Sequence, residues 1–189
     1  MSNNAYIVSA VRTAGGKKNG RLSAWHPADL GAKVLDELVY RSGIKPELID
    51  DVIFGCVDQV GAQSGNVARN AILSSSLPES VPGTSVDRQC GSSQQAIHFA
   101  IQAVMSGTQD VVVGGGVEVM SIVPIGASIK DGYGQCWAST STTTPAPPTT
   151  SCSRNWTCPP ASRRALAIVR AHGPAPKATC GLAVSGILR

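Results

Sequence analysis

Beyond Asp131 this chain of 189 residues contains no acidic residue at all. Residues 1–131 hold 10 Lys and Arg against 12 Asp and Glu, a net of −2, and the last 58 residues hold 6 basic groups and no acidic one. The overall charge of +4 is therefore a property of the tail. That removes the case for a basic, nucleic-acid-binding face on the rest. No run approaches the ~18 apolar residues of a membrane span, so no membrane association is expected. The opening MSNNAYIVSAVRT lacks a basic stretch leading into a long apolar one, so no secretory leader is expected either. Cys136, Cys152, Cys158 and His172 do not have CxxC spacing, which argues against zinc; the expectation for metal is none. Together these absences point to a soluble, cytoplasmic chain whose six cysteines stay reduced.

What the first 131 residues do contain is an alternation of two hydrophobic periods. AYIVSAV (5–11) has the make-up of a strand, and RTAGGKKNGR after it that of a loop. PADLGAKVLDELVYRSG places Leu30, Val34, Leu35, Leu38 and Val39 on one helical stripe, with Pro27 in the first turn and Gly43 as the stop. KPELIDD is a short helical turn feeding a strand, DVIFGCV (51–57), and SGNVARNAILSSS is a second helix with Val67, Ala71 and Ile72 inward. Pro78 and Pro82 end that helix and restart the chain in extended form. Ile97, Ala100, Ile101 and Val104 then recur at helical spacing, predicting a mostly buried helix over 91–106. DVVVGGGVEV is nearly continuous in apolar residues, as strands covered on both faces are. Strand and helix alternating in this way give an α/β fold with helices on a mainly parallel sheet.

The tail reads differently. ASTSTTTPAPPTT (138–150) is all Ala, Ser, Thr and Pro, seven of the 12 prolines lie in the tail, and only Ala165 to Val169 shows a sustained period. The expected organisation is one domain over 1–134 and a disordered or irregular low-complexity segment over 135–189. Ala, Pro, Thr, Ser, Arg and Gly are also what GC-rich codons yield in a wrong frame. An aberrant, frameshifted C-terminus is therefore the expectation.

The residue that carries chemistry is Cys90, in SVDRQCGSSQQAIHFAIQAVMSG (85–107). A cysteine where a chain enters a helix lies beside unpaired N–H groups and the positive end of the helix dipole, which favours thiolate over thiol. Gly91, Ser92 and Ser93 leave room for a substrate carbonyl, and an N–H of the turn is placed to meet a developing oxyanion. The alternative is a small buried hydrophobe, the commonest use of such a cysteine.

VDRQCGSSQQAIH resembles the segment around the acyl-accepting cysteine of the thiolases. AYIVSAVRTAGGKKNGRL resembles that family's opening, KPELIDDVIFGCV its second strand, SGNVARNAILSSSLPESVPGTSVD its approach to the nucleophile, and GGGVEVMS the Gly-Gly-x-Glu-x-Met-Ser end of a later strand. The ketoacyl synthases share the fold, but their cysteine sits in an Ala-Cys-Ser-Ser context and they lack a VRTAGGKKNG-like segment. The resemblance implies a thiolase-like βαβαβαβ half-fold. It implies an acyltransferase of fatty-acid or lipid metabolism, acetyl-CoA acetyltransferase or 3-ketoacyl-CoA thiolase in type, with Cys90 as the thioester-forming nucleophile. It further implies an acyl-CoA as substrate, no permanently bound cofactor, and a homodimer or homotetramer in complete members.

The later half of the family carries Gly-His-Pro and Cys-x-Gly-x-Gly motifs that this sequence lacks; AHGPAP around His172 and TCGLAVSG around Cys180 have the wrong order or spacing. Only the N-terminal half is recognisable. The rival expectation is accordingly a catalytically silent, truncated or frameshifted thiolase, unable to assemble, and a third is half of a split enzyme. Other side chains are expected to serve structure: His98 as a packed or partly exposed helix residue, His26 before a helix, Glu118 behind the site, Lys17, Lys18 and Arg21 on a solvated loop. Arg69 is expected either on a solvated helix face or steadying the cysteine loop.

Overall fold

The computed structural model describes residues 4–130, 164–171 and 184–185. The first strand, β1 (Ala5–Val11), leads through a loop into α1 (Pro27–Ser42). Both ends of α1 follow the sequence: His26 accepts the Ala28 N–H on Nδ1 at 3.3 Å, Pro27 opens the helix, and Gly43 closes it in the left-handed region at φ 64°. A single 3₁₀ turn, Pro46–Leu48, enters β2 (Asp51–Gly55). Another, Gly61–Gln63, precedes α2 (Val67–Leu73), which Asn66 caps by accepting the Arg69 N–H. Then come β3 (Gly83–Val86), α3 (Ser92–Ser106), β4 (Val111–Gly116) and the short α4 (Ala127–Lys130). Among the tail residues two stretches are described, β5 (Arg164–Ala171) and β6 (Val184–Ser185). The first contains the tail's one periodic stretch.

The strands lie in the order β1-β5-β4-β2-β3, with β6 on β5. β2 pairs in parallel with both β3 and β4, and β5 runs antiparallel to β4 and to β1. The four strands of the N-terminal part therefore share one direction, and the sheet is mainly parallel. The register sets Gly55 beside Gly116 and Val52 beside Val113.

Alternation along β2 and β4 divides the core in two. Val52, Phe54, Val111 and Val113 face α1 and α2, where they pack with Leu35, Leu38, Val67, Ala71 and Ile72. Ile53 and Val112 face α3 and pack with Ala96, Ala100 and Val104. The fold is an α/β layered structure, as the alternation of periods implies.

One expectation shifts. The buried line of α3 is Ser92, Ser93, Ala96, Ala100 and Val104; Ile97 and Ile101 are half-buried, while His98, Phe99 and Met105 are exposed. The reason lies in the strand beneath. A Cβ on Gly114 would fall 2.9 Å from Ile97 Cα, so β4 presents bare backbone there and small helical residues settle onto it.

Candidate active site

Cys90 is half-buried and lies two residues before the first residue of α3, whose N-cap is Gly91. The turn that carries it is held from several directions. Gly91 N–H donates to Arg88 O at 2.9 Å and Ser92 N–H to Gln89 O at 3.0 Å. The Asp87 carboxylate accepts the Gln89 N–H at 2.7 Å. Ser92, fully buried, accepts the Arg88 N–H on its hydroxyl at 2.9 Å and donates that hydroxyl to Gln89 O at 2.6 Å. Between them Gln89 takes φ 48°, the left-handed region that a side chain other than glycine enters at a cost of about 1–3 kcal/mol. The Gly91 and Ser92 N–H groups are thus already engaged by carbonyls of the turn.

Two glycines fix where this turn meets the sheet. A Cβ on Gly55, at the end of β2, would lie 2.2 Å from the Ser92 carbonyl carbon and from the Ser93 nitrogen. One on Gly116, at the end of β4, would lie 2.2 Å from Ser93 Oγ and 2.4 Å from Gly55 O. The start of α3 therefore rests directly on the carboxyl ends of β2 and β4, the end of a parallel sheet where ligand sites form. This is the close backbone packing that GGGVEVM suggests.

Behind the site is a polar knot. Glu118 accepts the Val57 N–H at 2.7 Å and the Gln63 amide at 2.8 Å. Gln63, fully buried, also donates to Asp58 O at 2.8 Å and accepts the Val119 N–H at 2.6 Å. Asp58 accepts from Gly126 N–H at 2.9 Å and from the Ser128 hydroxyl at 2.7 Å. The loop after β2 is thereby tied to the segment after β4. Glu118 serves the scaffold, as expected of it.

The second cysteine of this region differs in kind. Cys56 is 1% exposed and belongs to the α1 and α2 side of the core. Burial first, then the charge of Glu118 and a hydrogen bond to that carboxylate, then Asp58 and Asp87, push its thiol far above the ordinary value. It is protonated throughout the physiological range and is a poor nucleophile.

The remaining expected residues separate cleanly. His26 caps α1, and His98 is exposed on α3. Lys17, Lys18 and Arg21 are exposed on the loop after β1. Arg69 reaches back from α2 to donate to Glu79 O at 2.8 Å and Val81 O at 2.7 Å, holding the connector that enters β3. Cys136, Cys152, Cys158, His172 and Cys180 lie outside the described residues. Sequence reasoning passed over Asp87, took Ser92 only for a small neighbour of the cysteine, and passed over Asp58 and Gln63. For the first two a signal existed, since Asp and Ser flanking a helix start are capping residues. For Asp58 and Gln63 none did, because apart from their bond to each other these contacts reach across 55 to 70 residues.

Comparison with known proteins bears on this arrangement. The family profile described as "Thiolase, N-terminal domain" matches residues 5–142. The chain is 56% identical over 128 residues to the steroid 3-ketoacyl-CoA thiolase FadA6 of Mycobacterium tuberculosis, covering 68% of this chain and 31% of that protein. It is 45% identical over 121 residues to a 3-oxoadipyl-CoA/3-oxo-5,6-dehydrosuberyl-CoA thiolase of Escherichia coli, covering 64% and 30%. Among solved structures, the Bacillus anthracis acetyl-CoA acetyltransferase superposes with a TM-score of 0.61 at 40% identity, covering 64% of this chain and 30% of that one. The chain spans about 30% of the length of the relatives it matches.

Proposed function

This chain belongs to the thiolase family by its N-terminal domain, and from that premise we propose that Cys90 accepts an acyl group from an acyl-CoA as a covalent thioester. The observation that carries the proposal is the position of Cys90 at the N-terminal end of α3, over the carboxyl ends of β2 and β4, inside the region that matches curated thiolases. In the reaction, the Cys90 sulfur attacks the thioester carbonyl carbon. The carbonyl re-forms with loss of the coenzyme A sulfur, which leaves as the thiol carrying the proton that Cys90 gave up. One thioester is exchanged for another, so the step is close to neutral in free energy and each half of an acyl transfer meets a lower barrier.

The contribution of this chain's residues is positional. The 15-residue α3 directs the positive end of its dipole toward the sulfur, where negative charge is favoured. Gly55 and Gly116 let the helix approach without a side chain between, and the Glu118–Gln63–Asp58 knot keeps the neighbouring loops in place. Coenzyme A is substrate here and no resident cofactor is required. No described helix is long and apolar enough to cross a membrane. The cytoplasm, a division at 134/135 between domain and tail, and a chain that does not assemble as complete members of the family do, complete the proposal.

A second reading is favoured by a specific observation. The Gly-His-Pro and Cys-x-Gly-x-Gly motifs of the family are absent from the sequence, so this chain by itself would hold the fold without turning over. The test is to incubate the protein with acetyl-CoA and map adducts by mass spectrometry. A hydroxylamine-labile acetyl group on Cys90, lost in Cys90→Ala, is the expected result. Its absence, with Cys90 still open to alkylation, overturns acyl acceptance and leaves the silent reading.

A further inference from the structure

Among the contacts that hold the turn presenting Cys90, one comes from a buried hydroxyl. Gln89, the residue before the cysteine, has φ 48° although it is not a glycine. The Ser92 side chain spans the Arg88–Gln89 pair, accepting from the N–H that precedes it (Arg88) at 2.9 Å and donating to the carbonyl that follows it (Gln89) at 2.6 Å. Ser92 is itself immovable: it is fully buried, and the backbone of Ser92 and Ser93 sits where a Cβ on Gly55 would come within 2.2 Å. Asp87 adds one exposed support from outside, accepting the Gln89 N–H at 2.7 Å. Arg88 and Gln89 are thus registered to the sheet through Ser92 Oγ, and Cys90 is carried between that turn and the helix.

We propose that Ser92 is the positioning residue for Cys90: its hydroxyl clamps the left-handed turn at Gln89 and so sets the sulfur at the start of α3. The proposal rests on the reading of Cys90 as acyl acceptor, and it adds a second residue to that chemistry without giving it contact with substrate. A clamp of this kind has a distinctive property. Its loss is compensated when the strained residue no longer needs clamping, because glycine enters the left-handed region freely.

The experiment measures the rate of Cys90 alkylation by iodoacetamide across a range of pH, followed on the Cys90 peptide by mass spectrometry, in the full chain. Acyl-CoA is not involved, so failure of acetylation in the wild type and failure of positioning are separate results. Ser92→Ala is expected to slow Cys90 alkylation by about tenfold, the order of effect that loss of alignment at a reacting atom produces. Adding Gln89→Gly to it is expected to restore most of the rate. Wild-type alkylation in Ser92→Ala overturns the proposal, as does slowing that Gln89→Gly leaves unchanged. Should Ser92→Ala fail to fold, Asp87→Ala, at an exposed position, decides the matter. It is expected to slow alkylation by a smaller factor and to be restored by Gln89→Gly; an unchanged rate, or one not restored, overturns the clamp.

Discussion

The two faces of the sheet are drawn from the same strands, yet they are built on opposite plans. Toward α1 and α2, β2 and β4 present Val52, Phe54, Val111 and Val113, which meet Leu35, Leu38 and Ile72 with almost no exposure. Toward α3 they present Gly55, Gly114 and Gly116 around the apolar pair Ile53 and Val112, and the helix answers with Ser92, Ser93, Ala96 and Ala100. Bulk stabilises the first face through burial of apolar area. Closeness defines the second, where the backbone at the start of α3 approaches the backbone of β2 and β4 with no room for a Cβ between them. Bulk burial and the seat of the Cys90 turn are thus assigned to different sides. The cysteines follow this division, Cys56 buried on the bulky side beside the Glu118 carboxylate and Cys90 at the edge of the close-packed side.

The sharpest way to break the contrast is to give the close face a side chain. Gly55→Ala puts a methyl group 2.2 Å from main-chain atoms of Ser92 and Ser93, and backbone cannot step aside as a flexible side chain would. The expected loss is at least about 4 kcal/mol of stability, in the range that marks severe overpacking. Urea unfolding read by circular dichroism checks it; a midpoint near wild type would show that the helix end is free to move. On the bulky face Leu38→Ala, at a fully buried position, is expected to cost about 3 kcal/mol by leaving a cavity. There the alkylation rate of Cys90 should stay near wild type, because the cavity lies across the sheet. Equal damage to Cys90 from both substitutions would erase the distinction between the faces.

The smallest effect comes from Cys56 and depends on pH. Its folded-state value lies far above the ordinary 9.0, so the native state holds a proton that the unfolded chain releases. The contribution to stability is fully present below about pH 9 and declines above it, by up to ~1.4 kcal/mol per pH unit. Cys56→Ala is expected to flatten that decline relative to wild type, as read by denaturation midpoints between pH 8 and pH 10.5. Parallel curves for the two proteins would place the alkaline sensitivity elsewhere.

How much of this was legible beforehand depended on how local the signal is. Pro27 and Gly43 announce both ends of α1, and Val67, Ala71 and Ile72 point inward as their spacing requires. The triplet Gly114 to Gly116 signals close packing, but its alternation does not say which helix arrives; of the expected stripe on α3, Ala100 and Val104 are buried, while Ile97 and Ile101 give way to Ser92, Ser93 and Ala96. Cys90 stood out because a cysteine at a helix start has a chemical meaning on its own. Ser92 did not, because its importance comes from φ at Gln89, which no residue type announces unless it is glycine. In the Glu118–Gln63–Asp58 knot only Glu118 was legible, because Gln63 meets it across 55 residues of chain.

The place of β5 in the sheet carries a consequence for how the molecule is made. Among the described residues β1 is hydrogen-bonded to β5 alone, and β5 in turn to β4. The first strand to leave the ribosome must therefore wait until residue 171 has followed it, which at ordinary translation rates is roughly 10–30 s. During that interval Ala5–Val11 is an apolar segment without its neighbour, in the period when nascent strands are most prone to pair wrongly.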